Sequence, residues 1–391
     1  MTDVLEKYKF YEGTLRRALL FTGLWPGSKL KIRHRLLTAY HGIIGIIVAC
    51  AVINFCHRYF ANRDRFMKGL ALLLAFFTVF LKTTSFIFYR KRLGDLHHSL
   101  AGTFKRDLEN EELRPILLSP LLWFYRPTIL LASSTWASIA LCWFRPLIFI
   151  AIQRSKGVTI LKWILPFSTV YPWPIDPHTW RYPAHYAFEV YSGICLAIFS
   201  SSSDALFGFY VFQISAQLRT LSHRVRKLGS SKNYHQEIRE CVNRHEILAK
   251  CQAHVNQIYG PVVLWLLITN AVIMCALIYQ ASHLGFQKAI VVVVYIVMKS
   301  VQTLVYGWFG TFLATECDNF REAVYSCDWP GSGEKRLMKD VSILLMYKPF
   351  ILSACGVANV SVDMFVNVSN TAMSYFFMLR TLDEQKESSG T

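Results

Sequence analysis

The chain has 391 residues, of which 53% are hydrophobic and only 17% charged, and its mean hydropathy is +0.31. Soluble globular proteins rarely have this balance, so the composition indicates a membrane protein. The formal net charge of +17 does not indicate a nucleic-acid-binding protein, because the basic residues are spread over several segments and form no single stripe.

Seven apolar runs follow one another along the chain, and each is long enough to cross a membrane. About 20 mostly apolar residues span a hydrocarbon core of roughly 30 Å as an α-helix. The sequence therefore predicts an all-α membrane protein with seven transmembrane helices in a single domain, residues 1–391. The predicted spans are Leu36–Phe60, Phe66–Tyr89, Thr128–Ile152, Tyr186–Ile214, Ile258–Gln280, Ala289–Thr315 and Phe350–Leu382.

The basic residues orient these helices. Most of the 42 lysines and arginines lie in the amino-terminal arm and in segments 90–126, 217–257 and 316–348, whereas the intervening loops carry fewer. Because basic residues are enriched on the cytosolic side, the pattern predicts a cytosolic amino terminus and an extracellular carboxyl terminus. G-protein-coupled receptors have the opposite orientation, and their Asp/Glu-Arg-Tyr and Asn-Pro-x-x-Tyr motifs are absent from the expected helices, so this class is excluded.

No motif for catalysis, metal binding or phosphate binding occurs in the sequence. There is no His-Glu-x-x-His, no Gly-x-Ser-x-Gly and no glycine-rich phosphate loop, so we predict no enzyme, no metal site and no cofactor. The ten cysteines contain no Cys-x-x-Cys pair and most lie in apolar runs, which predicts buried free thiols.

Five of the ionisable residues within the predicted spans stand out: Lys82, Glu189, Asp204, Lys299 and Asp363. Such residues are functional candidates by default. Lys82 and Glu189 are near helix ends, and we expect both to be interfacial. Lys299 is near mid-span, so it should point into protein or water and pair with an acid. Asp204 follows four serines, which predicts packing on neighbouring helices or a cavity.

A series of short motifs begins at this serine-rich segment and continues to the end of the last run. In their order and spacing, these motifs resemble those of insect odorant receptors from about Asp204 to Leu382; before that, only helix number and orientation agree. The motifs are Ser203-Asp204-Ala205-Leu206-Phe207, Gln217-Leu218-x-x-Leu221, Gly310-Thr311 with Glu316, Ala323-Val324-Tyr325 with Trp329, Pro349, Ser361-Val362-Asp363-Met364-Phe365, and Ser374-Tyr375-Phe376.

Two differences from related receptors narrow down which kind of subunit the chain resembles. Gustatory receptors end their last helix in Thr-Tyr, five apolar residues and Gln-Phe, whereas Ser374-Tyr375 here is followed by Arg380-Thr381-Leu382. The odorant co-receptor has a large insertion between helices four and five and ends in Gln-Leu-Lys, and this chain has neither. It therefore resembles an odorant-tuning subunit.

The resemblance implies a ligand-gated, non-selective cation channel that forms a tetramer with the co-receptor. Such a protein would be multi-pass, in contact with lipid, in the plasma membrane of olfactory neuron dendrites. Its pore would be lined by the outer half of the last helix, whose polar residues suit contact with water. Apolar side chains would close the pore by dewetting, although Met378 and Leu382 could instead pack on lipid or protein. The implied pore and gate positions are Ser374, Met378, Thr381 and Leu382.

The resemblance also implies a cytosolic anchor between subunits, formed by the inner ends of helices four to seven. The inner half of the last helix, Pro349–Val360, would belong to it. Four apolar residues that extend helix four recur at three- and four-residue spacing, which predicts one buried helix face. They are Leu218, Leu221, Val225 and Leu228.

An odorant pocket should be enclosed, mostly apolar and built between helices. The family places it in the outer leaflet among helices two, three, four and six, and no motif marks its residues. Each candidate could equally face lipid or form plain core. The positions chosen by topology are Leu73, Phe76, Phe77, Phe80, Trp136, Ala140, Trp143, Tyr191, Cys195, Ile198, Val294, Tyr295 and Met298.

A transporter of a small solute is the alternative from another class, since charged residues in spans also mark substrate paths. Transporters usually contain internal repeats and broken helices in corresponding halves. Helices one to three and four to six show no such repeat. A structural scaffold would leave the polar final helix unexplained.

Overall fold

The computed structural model describes residues 2–27, 32–158, 161–176, 179–227, 234–282, 286–327 and 335–389. Helices dominate these ranges, and two short antiparallel strands precede the last helix, with Ser353 opposite Asn359. The elements are α1 (Thr2–Thr22), α2 (Ile32–Arg58), α3 (Arg63–Phe88), α4 (Arg90–Glu109), α5 (Leu113–Leu118), α6 (Leu121–Ser155), α7 (Arg181–Arg226), α8 (Tyr234–Ser282), α9 (Phe286–Tyr325), α10 (Lys335–Met346), β1 (Ser353–Ala354), β2 (Ala358–Asn359) and α11 (Val362–Ser389).

Six helical stretches in the described ranges are long and apolar enough to cross a membrane, and they correspond to the first six predicted spans. Within the described residues α11 is not one of them, because amides and hydroxyls interrupt its apolar run. The six stretches are Ile32–Arg58, Arg65–Phe88, Leu113–Ser155, Arg181–Arg226, Gln236–Ile278 and Val292–Tyr325.

The seventh predicted span is helical only in its second part. A β-hairpin occupies the region where the sequence predicted helix over Pro349–Val360, so that part of the prediction is wrong. Cys355 and Gly356 have φ values of 55° and 76°, in the left-handed region, which a right-handed helix cannot contain. The turn is closed by the Gly356 amide, which donates to Ser353 Oγ at 2.8 Å.

Contacts divide the chain into two compact units. Unit one comprises Met1–Glu12, Tyr89–Thr128 and Leu206–Thr391, and unit two comprises Gly13–Phe88 and Ile129–Ala205. Aromatic rings fill much of unit one: the Tyr8 ring stacks on Phe104 at 5.1 Å, and Tyr11 meets Phe209 edge-on at 5.4 Å. The core of unit two includes Val48, Val52, Cys56, Phe76 and Phe167.

Unit one also contains buried charges that are paired across helices. Asp107 is 1% exposed, and both of its carboxylate oxygens accept from Arg244 Nη1 at 2.9 Å. Arg224 adds a further bond at 3.2 Å, and Glu316 pairs with Arg219. Charges persist in a protein interior only when partners and hydrogen bonds offset their lost hydration. These pairs therefore fix α4, α7, α8 and α9 against one another.

The predicted apolar stripe on the α7 extension is buried in unit one. Leu218, Leu221 and Val225 are at most 1% exposed, whereas Leu228 lies outside the described residues. Beside them Thr103 donates to Gln217 Oε1 at 2.6 Å, which ties α4 to α7. The stripe thus serves as core packing within a single chain.

Candidate ligand pocket and pore helix

The loop between α6 and α7 folds back onto unit two and is held by Glu189. The Phe167 amide donates to Glu189 Oε2 at 2.8 Å, and the hydroxyls of Thr169 and Tyr171 donate to Oε1 at 2.6 and 3.1 Å. Burial, and after it the charge of Glu189, raises the pKa of Tyr171, so its phenol remains a donor. Glu189 has no exposed surface, so its carboxylate is engaged entirely by the protein. The loop covers it and supplies its donors.

Phe167 of this loop inserts into the core of unit two. Its ring meets Phe76 of α3 edge-on, with centroids 6.0 Å apart, and Leu73 packs against the same cluster. Two predicted pocket residues are therefore brought together around a loop side chain. Phe167 was not among the predicted pocket residues because no motif or periodicity marks this loop, and it is one of several aromatic residues between the two spans.

Gly193 allows α6, α7 and this loop to approach closely. A β-carbon at this position would lie 2.7 Å from Trp143 Nε1 and 3.2 Å from Phe167 Cζ. Trp143 Nε1 is buried and has no hydrogen-bond partner among the residues that the structure describes. The backbone carbonyl of Trp143 accepts from the Tyr186 hydroxyl at 2.7 Å, which fixes the local position of α6 on α7. The indole therefore presents a spare donor beside the Phe167 ring.

Tyr191 and Cys195 lie one helical turn apart on α7. Cys195 is buried, while the Tyr191 hydroxyl lies 3.2 Å from Nε2 of His41, itself 4% exposed. The Tyr191 hydroxyl is thus already engaged, in contrast to the Trp143 indole. Ala140 and Ile198 are half-buried.

The remaining predicted pocket positions are more exposed. Phe77 and Phe80 of α3 are 45% and 55% exposed, with ring centroids 6.4 Å apart. Trp136 is 37% exposed, and its ring lies edge-on to Trp143 at 6.5 Å. The three predicted α9 positions belong to unit one; two are exposed and the third, Met298, is half-buried. These positions are Val294, Tyr295 and Met298.

Two of the charged residues within spans form a pair inside unit two. Lys82 is 2% exposed and pairs with Asp204, which is 3% exposed, and its Nζ lies 3.4 Å from Ser200 Oγ. The prediction that Lys82 reaches the membrane interface is wrong, because an acid on α7 neutralises it within the protein. Asp204 contacts Lys82 of α3, which agrees with the prediction that Asp204 packs on a neighbouring helix. In unit one, Lys299 donates to Gln302 of its own helix at 3.4 Å.

The last helix, α11, has one buried face and a broad exposed one. Met364, Ala372 and Phe376 are buried at multiples of four residues. Ser374, Met378 and Thr381 are exposed, and Thr381 Oγ1 donates to the Met378 carbonyl at 2.9 Å. Such bonds to the helix backbone satisfy hydroxyl protons in an apolar setting while leaving oxygen lone pairs open. The side chain of Leu382 lies outside the described residues.

The first turn of α11 is docked on α9 through the predicted Gly310-Thr311 motif. The Val362 amide donates to Thr311 Oγ1 at 2.9 Å, and the Met364 amide donates to Ser361 Oγ at 3.3 Å. A β-carbon on Gly307 would lie 2.9 Å from the Ser361 carbonyl carbon. Two amides at the start of α11 therefore gain acceptors, and glycine on α9 makes the close approach possible.

These features define a multi-pass, all-α membrane protein with a loop-covered aromatic cluster and a polar last helix. The sequence model of the 7tm Odorant receptor family matches residues 62–373. The chain belongs to this insect odorant receptor family.

Several known proteins are similar to the chain. Odorant receptor 13a of Drosophila melanogaster is 22% identical over 246 residues, which are 57% of this chain and 59% of that protein. Odorant receptor Or2 of Anopheles gambiae is 23% identical over 323 residues, 78% and 81% of the two chains. The Odorant receptor coreceptor of Aedes aegypti is 27% identical over 145 residues, 36% of this chain and 30% of the coreceptor. The chain thus spans less than two thirds of the first and the third of these relatives.

A solved structure shows the same fold. The insect olfactory receptor OR5 from Machilis hrabei, in complex with eugenol, superposes with a TM-score of 0.77 at 16% identity, covering 97% of this chain and 100% of that one. The all-α membrane fold predicted from the sequence is thereby confirmed.

Proposed function

We propose that this chain is the odorant-tuning subunit of a ligand-gated, non-selective cation channel. The observation that carries the proposal is the two-sided character of α11. Its buried face packs on its own unit, and its exposed face carries amides and hydroxyls that an isolated helix in lipid would not tolerate. Several copies around an axis would turn those groups toward water, with Met378 and Leu382 as an apolar constriction.

The odorant would bind in the outer part of unit two, around the cluster that Phe167 closes. The cluster is apolar and aromatic, as an odorant site requires, and the Trp143 indole offers one directional donor beside it. The α9 positions Val294, Tyr295 and Met298 stay predicted contacts on the basis of topology alone. Because Phe167 now fills the centre of the cluster, we expect odorants to bind beside its ring or to displace it.

The proposed partner is the odorant co-receptor, and the proposed assembly is a mixed tetramer. Similarity to coreceptors supports this partner. The exposed face of α11 supports an assembly, since its apolar residues Met373 and Tyr375 are 43% and 54% exposed in one chain. The paired charges of unit one would make its inner end a rigid base for subunit contacts. The amino terminus would be cytosolic and the site of action the dendritic plasma membrane.

Whole-cell recording tests the proposal. The chain would be expressed alone, with an insect odorant co-receptor, and the co-receptor alone, and each would be challenged with an odorant panel. We expect odorant-evoked cation current only when both subunits are present. A current that follows the electrochemical gradients supports a channel, whereas solute accumulation against a gradient supports the transporter alternative. Equal odorant currents without the co-receptor contradict the proposed partnership.

A further inference from the structure

His185, one turn before Glu189 on α7, is bonded through both nitrogens of its ring. Nδ1 lies 2.7 Å from the Arg181 carbonyl oxygen of the same helix, and Nε2 lies 2.8 Å from Nε1 of Trp173 in the loop between α6 and α7. A carbonyl oxygen can only accept a hydrogen bond, and an indole N–H can only donate one. Nδ1 therefore carries the proton and Nε2 is the acceptor, so both bonds exist together only while the ring is neutral.

The Trp173 side chain connects this histidine to the aromatic part of the loop. Its ring stacks on Tyr171 with centroids 5.6 Å apart, and the Tyr171 ring meets His185 edge-on at 5.1 Å. The Tyr171 hydroxyl also donates to Glu189, four residues beyond His185 on α7. This end of the loop is thus fastened to α7 at two positions, His185 and Glu189.

Protonation of His185 would remove its bond to Trp173. Histidine is the side chain whose charge ordinarily changes between pH 5 and 8. The second proton would enter at Nε2, the atom that accepts from Trp173, and two donors would then face each other. Because the closed arrangement requires a neutral ring, the open one holds one proton more, and a fall in pH favours opening.

The other titratable groups around His185 lie on α7 and in the loop. Burial, and after it the charge of Glu189, raises the pKa of Tyr171, so its phenol stays neutral over this pH range. Arg181 of α7 and Asp176 of the loop are charged neighbours along the chain, and both are exposed. Glu189 is the other group at the loop that can take up a proton, and its carboxylate accepts three bonds from the loop. A test of His185 therefore needs a variant that removes the titration of Glu189.

We propose that His185 and Trp173 form an acid-sensitive latch, which holds the loop closed at neutral pH and releases it when the external fluid is acidified. The loop carries Phe167 into the aromatic cluster of unit two, so its release loosens the cover of the proposed odorant pocket. The external position of the loop and the consequence for odorants rest on the proposed function. The latch itself rests on the bonds of one histidine.

Hydrogen-exchange mass spectrometry of the purified full-length protein at pH 7.5 and 5.0 tests the latch. Two amides give the loop its protection: Phe167 donates to Glu189 Oε2 at 2.8 Å, and Val170 donates to the Ala51 carbonyl at 3.0 Å. Each exchange rate is compared with that of an unfolded chain at the same pH, because the exchange chemistry itself depends on pH. We expect acid to lower the protection of the loop about 3–10-fold, since one hydrogen bond is lost.

Four variants assign the response to its residues. His185→Phe keeps a ring against Tyr171 but cannot be protonated, and Trp173→Phe removes the donor. Each should lower the protection of the loop at pH 7.5 and abolish the response to acid. His57→Phe replaces an exposed histidine in the last turn of α2 and is the matched control, which should respond as the wild type does. Glu189→Gln should lower the protection at both pH values and keep the response.

Equal or higher protection of the wild-type loop at pH 5.0 overturns the proposal. A response to acid that persists in His185→Phe or in Trp173→Phe does the same, and loss of the response in Glu189→Gln assigns it to that carboxylate and also overturns the latch. The measurement uses neither odorant nor co-receptor. Its failure is therefore distinct from a failure of the proposed channel function, which the current recordings test.

Discussion

The backbone of Val360 lies directly against Gly310, so closely that a β-carbon at position 310 would be 2.8 Å from the Val360 carbonyl carbon. This contact joins the middle of α9 to the hairpin end that leads into α11. Next to it, Thr311 accepts the bond from the Val362 amide. The Gly310-Thr311 motif thus acts as a docking point for the last helix, and the most proximal part of the proposed pore helix depends on it.

Gly310→Ala should push α9 and the hairpin apart and destabilise the protein by about 1–3 kcal/mol, the usual cost of overpacking. Thermal unfolding of the purified protein measures the change. Gly102→Ala on α4 is the control: a β-carbon there would have no other atom within 4 Å, so alanine should be neutral or stabilising by up to about 1 kcal/mol. Equal stability of the two variants would show that α9 and the hairpin can separate without cost.

Breaking the Lys82–Asp204 pair should lower the free energy of unfolding substantially. Lys82→Met leaves a buried carboxylate without its cation, which typically costs about 3–5 kcal/mol. The double variant Lys82→Met, Asp204→Leu should recover most of that loss, because no charge then remains buried. Unfolding temperature and surface expression provide the measurements. Lys7→Met removes the exposed Lys7–Asp3 pair and should cost less than about 1 kcal/mol. A double variant that is no more stable than Lys82→Met would show that the loss does not come from an unpaired buried carboxylate.

The hydrogen bonds between Glu189 and the α6–α7 loop predict how fast the backbone amide hydrogens of this loop exchange with solvent. Glu189→Leu removes the acceptor of three donors, so the loop at residues 161–176 should open more often and exchange its amide hydrogens about 10–100-fold faster. Thr169→Val removes one of those donors and should produce a smaller increase. Hydrogen-exchange mass spectrometry resolves the loop from α4, which serves as an internal reference. An unchanged loop in Glu189→Leu would mean that Phe167 packing alone holds it.

These residues also show what the sequence could and could not predict. The six apolar spans were predictable because hydropathy reports local composition, and the polar face of α11 was visible for the same reason. The hairpin was missed because the left-handed pair Cys355 and Gly356 interrupts an apolar run without a polar break. The partners of Lys82 and Glu189 could not be predicted, because they come from distant parts of the chain or from a loop that no motif marks. Position along a span indicates depth in a membrane, but not which neighbour is present.

The spare donor of Trp143 predicts selectivity for odorants that contain a hydrogen-bond acceptor. Trp143→Phe keeps an aromatic ring and removes the N–H, so sensitivity to ketones and esters should fall about 2–10-fold while that to hydrocarbons of equal length changes little. Dose–response currents with the co-receptor measure both classes. Trp123→Phe changes a tryptophan that is 56% exposed in unit one and should alter neither. An equal loss of sensitivity to both odorant classes would mean that Trp143 contributes only to the shape of the pocket and not a hydrogen bond.

The gate prediction concerns Met378 and Leu382, four residues apart and therefore on one side of α11. Met378 is 51% exposed in the single chain, as a side chain that faces a central axis would be. If these residues exclude water at rest, Leu382→Ser should lower the dewetting barrier and raise the resting current. Phe377→Ser is the control, since Phe377 is similarly exposed but projects about 100° around the helix from Met378. Co-receptor subunits contribute their own side chains to the same ring, so the rise should be modest and must be normalised per channel at the surface. Leu382→Ser channels with wild-type leak, ion selectivity and odorant-evoked current would place this residue away from the pore.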